Sequence, residues 1–271
     1  MKVSAAIIAY NASGFIPRFL KSLFNQTRSP DEIVIVDDAS TDNTFEIIRK
    51  ITAGKENVVL KKLPKRLSRG AARNESVKLA SGDIVYFVDV DVVMHPKCLE
   101  NILKGFRGEK IAGVAGNVHG LYRDTIAAKV SHEIYRDSPH YATWNIAYRK
   151  SVLIEVGMFN DLHYGSDMDL AYRIMKKGYK IAYRKDALIF HEHPRTITHF
   201  LRQKYNYGKY VTPLLKVEPG VLKIMRGASA FTRLSNPLYL LTYALGATFF
   251  FIGRLMGEMA YRRGKLKLGS M

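Results

Sequence analysis

Apolar positions along the first ninety residues switch period repeatedly. "VSAAIIAY", "EIVIVDD", "NVVLKKL" and "DIVYFVDVD" are short β-branched runs with the character of buried strands. Between them, "SGFIPRFLKSLFNQT", "STDNTFEIIRKITAG" and "RGAARNESVKLASG" space their apolar residues three and four apart, as amphipathic helices do. The second of these opens on a polar cap and stops at Gly54; the third has Gly82 at its end. This alternation predicts an α/β fold with a mixed, mainly parallel sheet covered by helices on both faces. Residues 112–150 are less regular and read as a pocket wall or surface loop. Beyond them, "SVLIEVGMF" and "DMDLAYRIMKKG" read as helices, the latter ending at Gly178, and "YKIAYRKDALIFHEH" as one or two strands.

The polar residues that interrupt this pattern gather at strand ends. In open α/β sheets, ligands bind beyond the carboxyl ends of the strands. Tyr10 and Asn11 follow the first strand, Asp37 and Asp38 the second, and Asp89 and Asp91 the fourth. Strand alternation is expected to point Asp89 and Asp91 the same way. Two carboxylates on one face need a partner, because unpaired buried charge is costly. Mg²⁺ or Mn²⁺ suits this spacing, with substrate phosphates completing the shell. The competing reading makes Asp91 the cap of a helix in "VVMHPKCLENIL".

Asp38 is placed to accept from a base N–H, while Ser40 and Thr41 serve turn and cap. Arg69 and Arg73 stand at a helix start, where anions are favoured. In "YGSDMDLAYRI", Asp167 and Asp169 point about 200° apart on a helix, so one acts as base while the other caps or pairs with Arg173. His191 and His193 share a strand face; a lone histidine is usually structural, while an imidazole beside a bound metal would serve as a third ligand. Zinc is disfavoured, since neither a Cys cluster nor an H-E-x-x-H helix is present.

Charge and composition add the C-terminal picture. The chain has 271 residues, a net charge of +18 and one cysteine, Cys98, which excludes an intramolecular disulfide. The N-terminal apolar run is too short for a signal h-region and reads as the first core strand. Residues 197–271 hold 12 Lys+Arg against two acids, Glu218 and Glu258. Residues 234–253 hold no charged side chain and are long enough to span a bilayer. "HFLRQKYNYGKYVTPLLK" mixes aromatic and basic residues as interfacial helices do. The expected division is therefore 1–195 as a catalytic domain and 196–271 as a basic, apolar, membrane-associated helical region. Its partner would be an anionic membrane surface at the cytoplasmic face.

Taken together, "IIAYN", "VDDASTDNT", "RGAARN", "FVDVD", "GSDMDLAYRI" and "FHEHPRTITHFLRQKYNYG" resemble the family-2 glycosyltransferases, inverting enzymes of the GT-A (Rossmann-like) fold. The resemblance implies a nucleotide-sugar donor, UDP favoured, and Mn²⁺ or Mg²⁺. It implies Tyr10 against the base with Asn11 beside it, Asp38 binding the base, Arg69 or Arg73 near the nucleotide, and Asp89 with Asp91 as the D-x-D. Asp91 would ligate the metal and His191 complete its shell. Asp167 takes the place of the usual base, Asp169 being the alternative, and Ser166 stands where the family often has an acid. Trp144 and Asn145 would touch the acceptor, a hydroxyl on a lipid-linked or other membrane-proximal glycan. The rival readings are a polyprenyl- or dolichyl-phosphate sugar synthase, whose phosphate acceptor needs no base, and a nucleic-acid-binding protein. No nucleic-acid partner is expected, because the charge is densest beside apolar sequence.

Overall fold

The computed structural model describes residues 1–162, 164–221, 234 and 236–266. Three strand–helix units and a fourth strand come first: β1 (Val3–Ala9), α1 (Ile16–Phe24), β2 (Glu32–Asp37), α2 (Thr44–Thr52), β3 (Val58–Lys62), α3 (Arg69–Leu79) and β4 (Ile84–Phe87). They are followed by β5 (Val92–Met94), α4 (Cys98–Leu103), β6 (Ile111–Gly120), α5 (Ile126–Tyr135), β7 (Ile146–Arg149), α6 (Lys150–Glu155), α7 (Ser166–Lys176) and β8 (Lys180–His191). Two long helices close the described chain, α8 (Ile197–Val217) and α9 (Pro237–Arg262).

The described strands form one eight-stranded sheet ordered β3-β2-β1-β4-β7-β6-β8-β5. β7 runs antiparallel to β4 and to β6, and β5 antiparallel to β8; the remaining neighbours are parallel. All strands except β5 and β7 therefore point the same way, and their carboxyl ends share one edge. Strand alternation explains the two core layers. Val3, Ala5, Ile7 and Ala9 of β1 face α1, α2 and α4 through Phe19, Leu20, Ile48 and Leu99. Ala6 faces the opposite layer, where Val77, Leu153, Leu170 and Ile174 come from α3, α6 and α7.

Two expectations are corrected. The stretch 112–150 is not loop, since it contains most of β6, all of α5 and β7. The β6 sequence "IAGVAGNVHG" lacks a strand-like signature because its glycines leave room for neighbours. A Cβ at Gly113 would meet the Tyr148 ring, and one at Gly116 the Asn145 amide. Second, "DIVYFVDVD" is not one strand. β4 stops at Phe87, and Val88 to Asp91 form a turn into β5. Asp91 caps no helix; α4 starts seven residues later, at Cys98.

The C-terminal helices lie on this body. α8 packs Val211, Leu214 and Leu215 against Leu162, and Phe200 against Ala127 and Val130. The charge-free stretch ends at 253 as expected, but the helix that holds it, α9, runs on through Arg254 and Glu258 to Arg262.

Candidate active site

The sheet edge is built first by turns. Asp38 N–H donates to the Ala9 carbonyl at 2.8 Å, joining the ends of β1 and β2. Asn11 adopts a left-handed φ of +46°, which asparagine tolerates. Its amide oxygen accepts from Thr41 N–H at 2.9 Å, and its own N–H donates to Ser40 Oγ at 3.0 Å. Asn11 thus braces the β2–α2 turn. Asp37, fully buried, accepts from Ser40 N–H through Oδ1 at 2.9 Å. Between Asp38 and Ser40, Ala39 is held at φ +58°, a costly conformation for a residue with a Cβ.

Asp38 is the acid this turn presents. Its Oδ1 accepts from Leu67 N–H at 2.8 Å. Burial raises its pKa from the ordinary 3.8 to about 6, against the pull of the Leu67 N–H and Arg66. Arg66, unremarked in the sequence, stacks its guanidinium 3.9 Å above the centre of the Tyr10 ring. A flat aromatic with a buried acid behind it suits a planar heterocycle.

Further along the edge stands a chain of charge. Arg73, at 8 % exposure, donates to Ser166 Oγ at 3.0 Å and lies 3.9 Å from Asp89 Oδ1. Desolvation lowers its pKa, and the carboxylates of Asp89 and then Asp167 oppose that shift. Glu75, two residues along α3, pairs with Lys61 and Lys78. Asp89 is raised by desolvation, with Arg73 opposing and Asp91 adding to the rise. Arg69 is exposed and sits 5.0 Å over the Tyr164 ring.

The β5–β8 pairing sets Val92 opposite His191, which brings Asp91 to that histidine. His191 Nε2 lies 3.4 Å from Asp91 Oδ1. Asp91 Oδ1 and His191 Nδ1 are buried and make no hydrogen bond. An orphaned carboxylate oxygen beside an imidazole is what a divalent cation with oxygen and nitrogen ligands requires, so these two residues fit such an ion. The set of three does not assemble: among the described residues, no three His, Cys, Asp or Glu side chains gather closely enough to hold a metal. Asp89 leans toward Arg73 instead. His193 and His132 are buried and held neutral, with pKa values lowered to about 2 and about 4, chiefly by desolvation.

The second acidic pair separates as its helical spacing requires. Asp169 is fully buried; its Oδ2 receives Arg173 Nη2 at 2.8 Å, Arg173 Nε at 3.0 Å and Asn160 Nδ2 at 3.0 Å. Asp167 stays on the cleft side. It accepts only a short-range contact from Met168 N–H at 2.9 Å and makes no ion pair among the described residues. Its charge is felt by Arg73, Tyr148 and Tyr207.

On the far side, Trp144 stands 5.1 Å from both Tyr135 and His191, ring centre to ring centre, and its Nε1 is buried without a partner. Asn145 is corrected to a structural residue. It is fully buried, donates to the Asn117 and Ala187 carbonyls and accepts from Tyr86 OH, so no side-chain atom is left for a ligand. The sequence reading missed α8 as a wall. Tyr210 stacks on Tyr164 at 5.4 Å, Tyr207 lies 6.1 Å from Tyr164, and Lys204 Nζ donates to Tyr135 OH at 3.1 Å. The aromatic spacing in "KYNYGKY" was the available signal.

A family model described as Glycosyl transferase family 2 matches residues 4–159, and one described as Glycosyl transferase family group 2 matches 84–257. A glycosyltransferase of Haloferax volcanii, AglE, is 27 % identical over 219 residues, covering 76 % of this chain and 72 % of that protein. The mannosyltransferase PcManGT from Pyrobaculum calidifontis, solved with GDP-Man and Mn²⁺, superposes with a TM-score of 0.63 at 20 % identity, over 97 % of this chain and 83 % of that one. Staphylococcus aureus TarS 1–349 with UDP-GlcNAc gives 0.57 at 18 % identity, over 98 % and 93 %. At these identities the structural likeness carries the fold alone.

Proposed function

The chain belongs to glycosyltransferase family 2 and has the GT-A fold, and from that premise we propose that it moves a sugar from a nucleoside-diphosphate donor to a hydroxyl acceptor with inversion. The observation that carries this reading is the division of labour between Asp167 and Asp169. One carboxylate is consumed by Arg173, and the other is left on the cleft side, within electrostatic reach of Arg73. A phosphate acceptor would need no such base.

The donor base stacks at Tyr10 and Arg66, with Asp38 accepting its N–H. Arg73, with Arg69 at the cleft rim, carries positive charge to the diphosphate as the anomeric C–O bond breaks. Asp91 and His191 would hold Mn²⁺ or Mg²⁺, which when bound supplies further positive charge beside the leaving diphosphate. Asp167 takes the proton of the acceptor hydroxyl, which attacks the anomeric carbon from the face opposite the leaving group. Trp144, Tyr207 and Lys204 flank the acceptor side. A membrane-proximal glycan at the cytoplasmic face suits the basic, apolar C-terminal helices.

Donor screening by thermal shift tests the site. UDP-sugars and GDP-sugars, each with and without Mn²⁺, are expected to raise Tm for one nucleotide series and to need the metal. Stabilisation by no nucleotide, with or without the ion, would sink the reading. Asp91→Ala should keep the unliganded Tm and lose the metal-dependent part of the shift.

The Asp38 environment predicts a pH dependence. Accepting a base N–H needs the carboxylate, so donor affinity should rise as pH passes through about 6 and then level off. Asp38→Asn should flatten that profile, which calorimetric titration between pH 5 and 8 would read. The sign for folding is opposite. The native state retains a proton between 3.8 and about 6 that the unfolded chain releases, so this group's contribution to stability declines as pH rises through that window.

A further inference from the structure

Helix α9 is built inside out. The face turned to the protein is small: Thr242, Gly246, Gly253 and Gly257 are buried. A Cβ at Gly253 or Gly257 would run into the backbone carbonyls of Tyr205 and Lys209 on α8, and one at Gly208 of α8 into that of Phe250. The opposite face carries Leu241, Leu245, Phe251, Ile252, Leu255 and Met259, each at least 40 % exposed. At about 100° per residue, all six fall within about a third of the helix circumference and form one stripe. A helix on a water-soluble body turns its large apolar residues inward.

We infer that α9 lies in the plane of an anionic bilayer surface, with this stripe in the acyl boundary, and does not cross it. Length leaves the choice open, because 26 residues at about 1.5 Å each span about 39 Å, more than the roughly 30 Å hydrocarbon core. Docking decides it. α9 is held backbone to backbone on α8, and α8 is anchored on the catalytic body through Phe200, Val211 and Leu214. Tyr239 and Tyr243, from the start of α9, reach the cluster containing Ala127 and Val130 of α5. A crossing helix would have to leave α8, stripping its glycine face and Arg254 into lipid, or drag the charged body into the bilayer. Exposed Arg262, Arg263 and Lys265 follow the stripe, and the whole chain carries +18. That charge complements anionic headgroups and opposes pairing with a second copy of the chain. The inference deepens the membrane-side part of the proposed function, but its test uses no transfer activity.

The experiment labels the full chain, singly, at Leu241→Cys, Phe251→Cys and Met259→Cys with an environment-sensitive fluorophore; Cys98 is buried and stays. Phosphatidylglycerol–phosphatidylcholine vesicles carry quenchers at graded depths. All three labels should report one shallow depth, and only when vesicles are present. A depth that peaks at position 251 and falls toward both ends means a crossing helix and overturns the inference. Labels buried without vesicles, at the mass of a dimer, overturn it too. A second variant keeps the fold in view: Leu241→Gln with Leu255→Gln should keep the wild-type Tm and lose vesicle partition by about tenfold or more. Unchanged partition would also overturn the inference.

Discussion

Asp167→Asn is expected to lower turnover with a hydroxyl acceptor by roughly 10²- to 10⁴-fold, the usual scale for a lost general base. Donor affinity and Tm should stay near wild type. The amide keeps the shape of the side chain and can still accept from Met168 N–H, so the start of α7 is undisturbed. What disappears is the ability to take a proton. Asp167 is also one of two carboxylates that oppose the desolvation of Arg73, the other being Asp89. Arg73 keeps Ser166 and Asp89, so its position should hold. Steady-state kinetics with a sugar hydroxyl and with a polyprenyl phosphate separates the two acceptor readings. If phosphate transfer persists at the wild-type rate while hydroxyl transfer is undetectable in the parent enzyme, the base assignment is wrong. The same measurement then assigns the protein to the phosphate-acceptor class.

The parallel half of the sheet was readable because each element there is locally consistent. β1 and β2 are β-branched and alternate between two core layers, and α1 and α3 carry their own start signals: a proline in the first turn of α1, and Ser68 capping Ala71 N–H at α3. The convergence of Tyr10, Asp38 and Asp89 on one edge follows from parallel strands alone. The other half was opaque because its signals are non-local. β6 is a strand made by what its neighbours insert, the Tyr148 ring over Gly113 and the Asn145 amide over Gly116. No window of its own sequence contains that information. For the same reason Asn145, expected by resemblance to touch the acceptor beside Trp144, in fact spends its side chain on two carbonyls and a tyrosine.

The acids show a finer version of this. A period of two predicted that Asp89 and Asp91 share a face, but the strand ends before them, and a turn sends one to Arg73 and the other to His191. Helical spacing predicted that Asp167 and Asp169 must part, and they do, because α7 runs through both. A periodicity argument is as good as the element boundary it assumes. What α8 contributes to the cleft depended on a third long-range contact, Tyr210 over Tyr164, which only the packed chain supplies.

Asp169→Ala is expected to destabilise the fold by about 3–5 kcal/mol, the cost of leaving one partner of a buried ion pair uncompensated. That is a large share of the roughly 5–15 kcal/mol that holds a typical domain together. The side chain of Asp169 is 1 % exposed and that of Arg173 18 % exposed. Arg173 also donates to the Val156 and Met158 carbonyls, so this one guanidinium ties α7 to the chain leading into it. That segment supports the cleft: Leu162 accepts from Gly70 N–H at 3.0 Å, and the Asn160 carbonyl lies where a Cβ on Gly70 would be. Loosening it displaces the start of α3, where Arg69 and Arg73 stand. The loss should appear as a lower urea midpoint, with activity falling in step with the folded fraction. Replacing the pair together, Asp169→Leu with Arg173→Met, should recover much of the stability, since an apolar pair leaves no charge to desolvate. An unchanged midpoint for Asp169→Ala, with turnover lost, would exchange the roles: Asp169 would be the base and Asp167 the bystander.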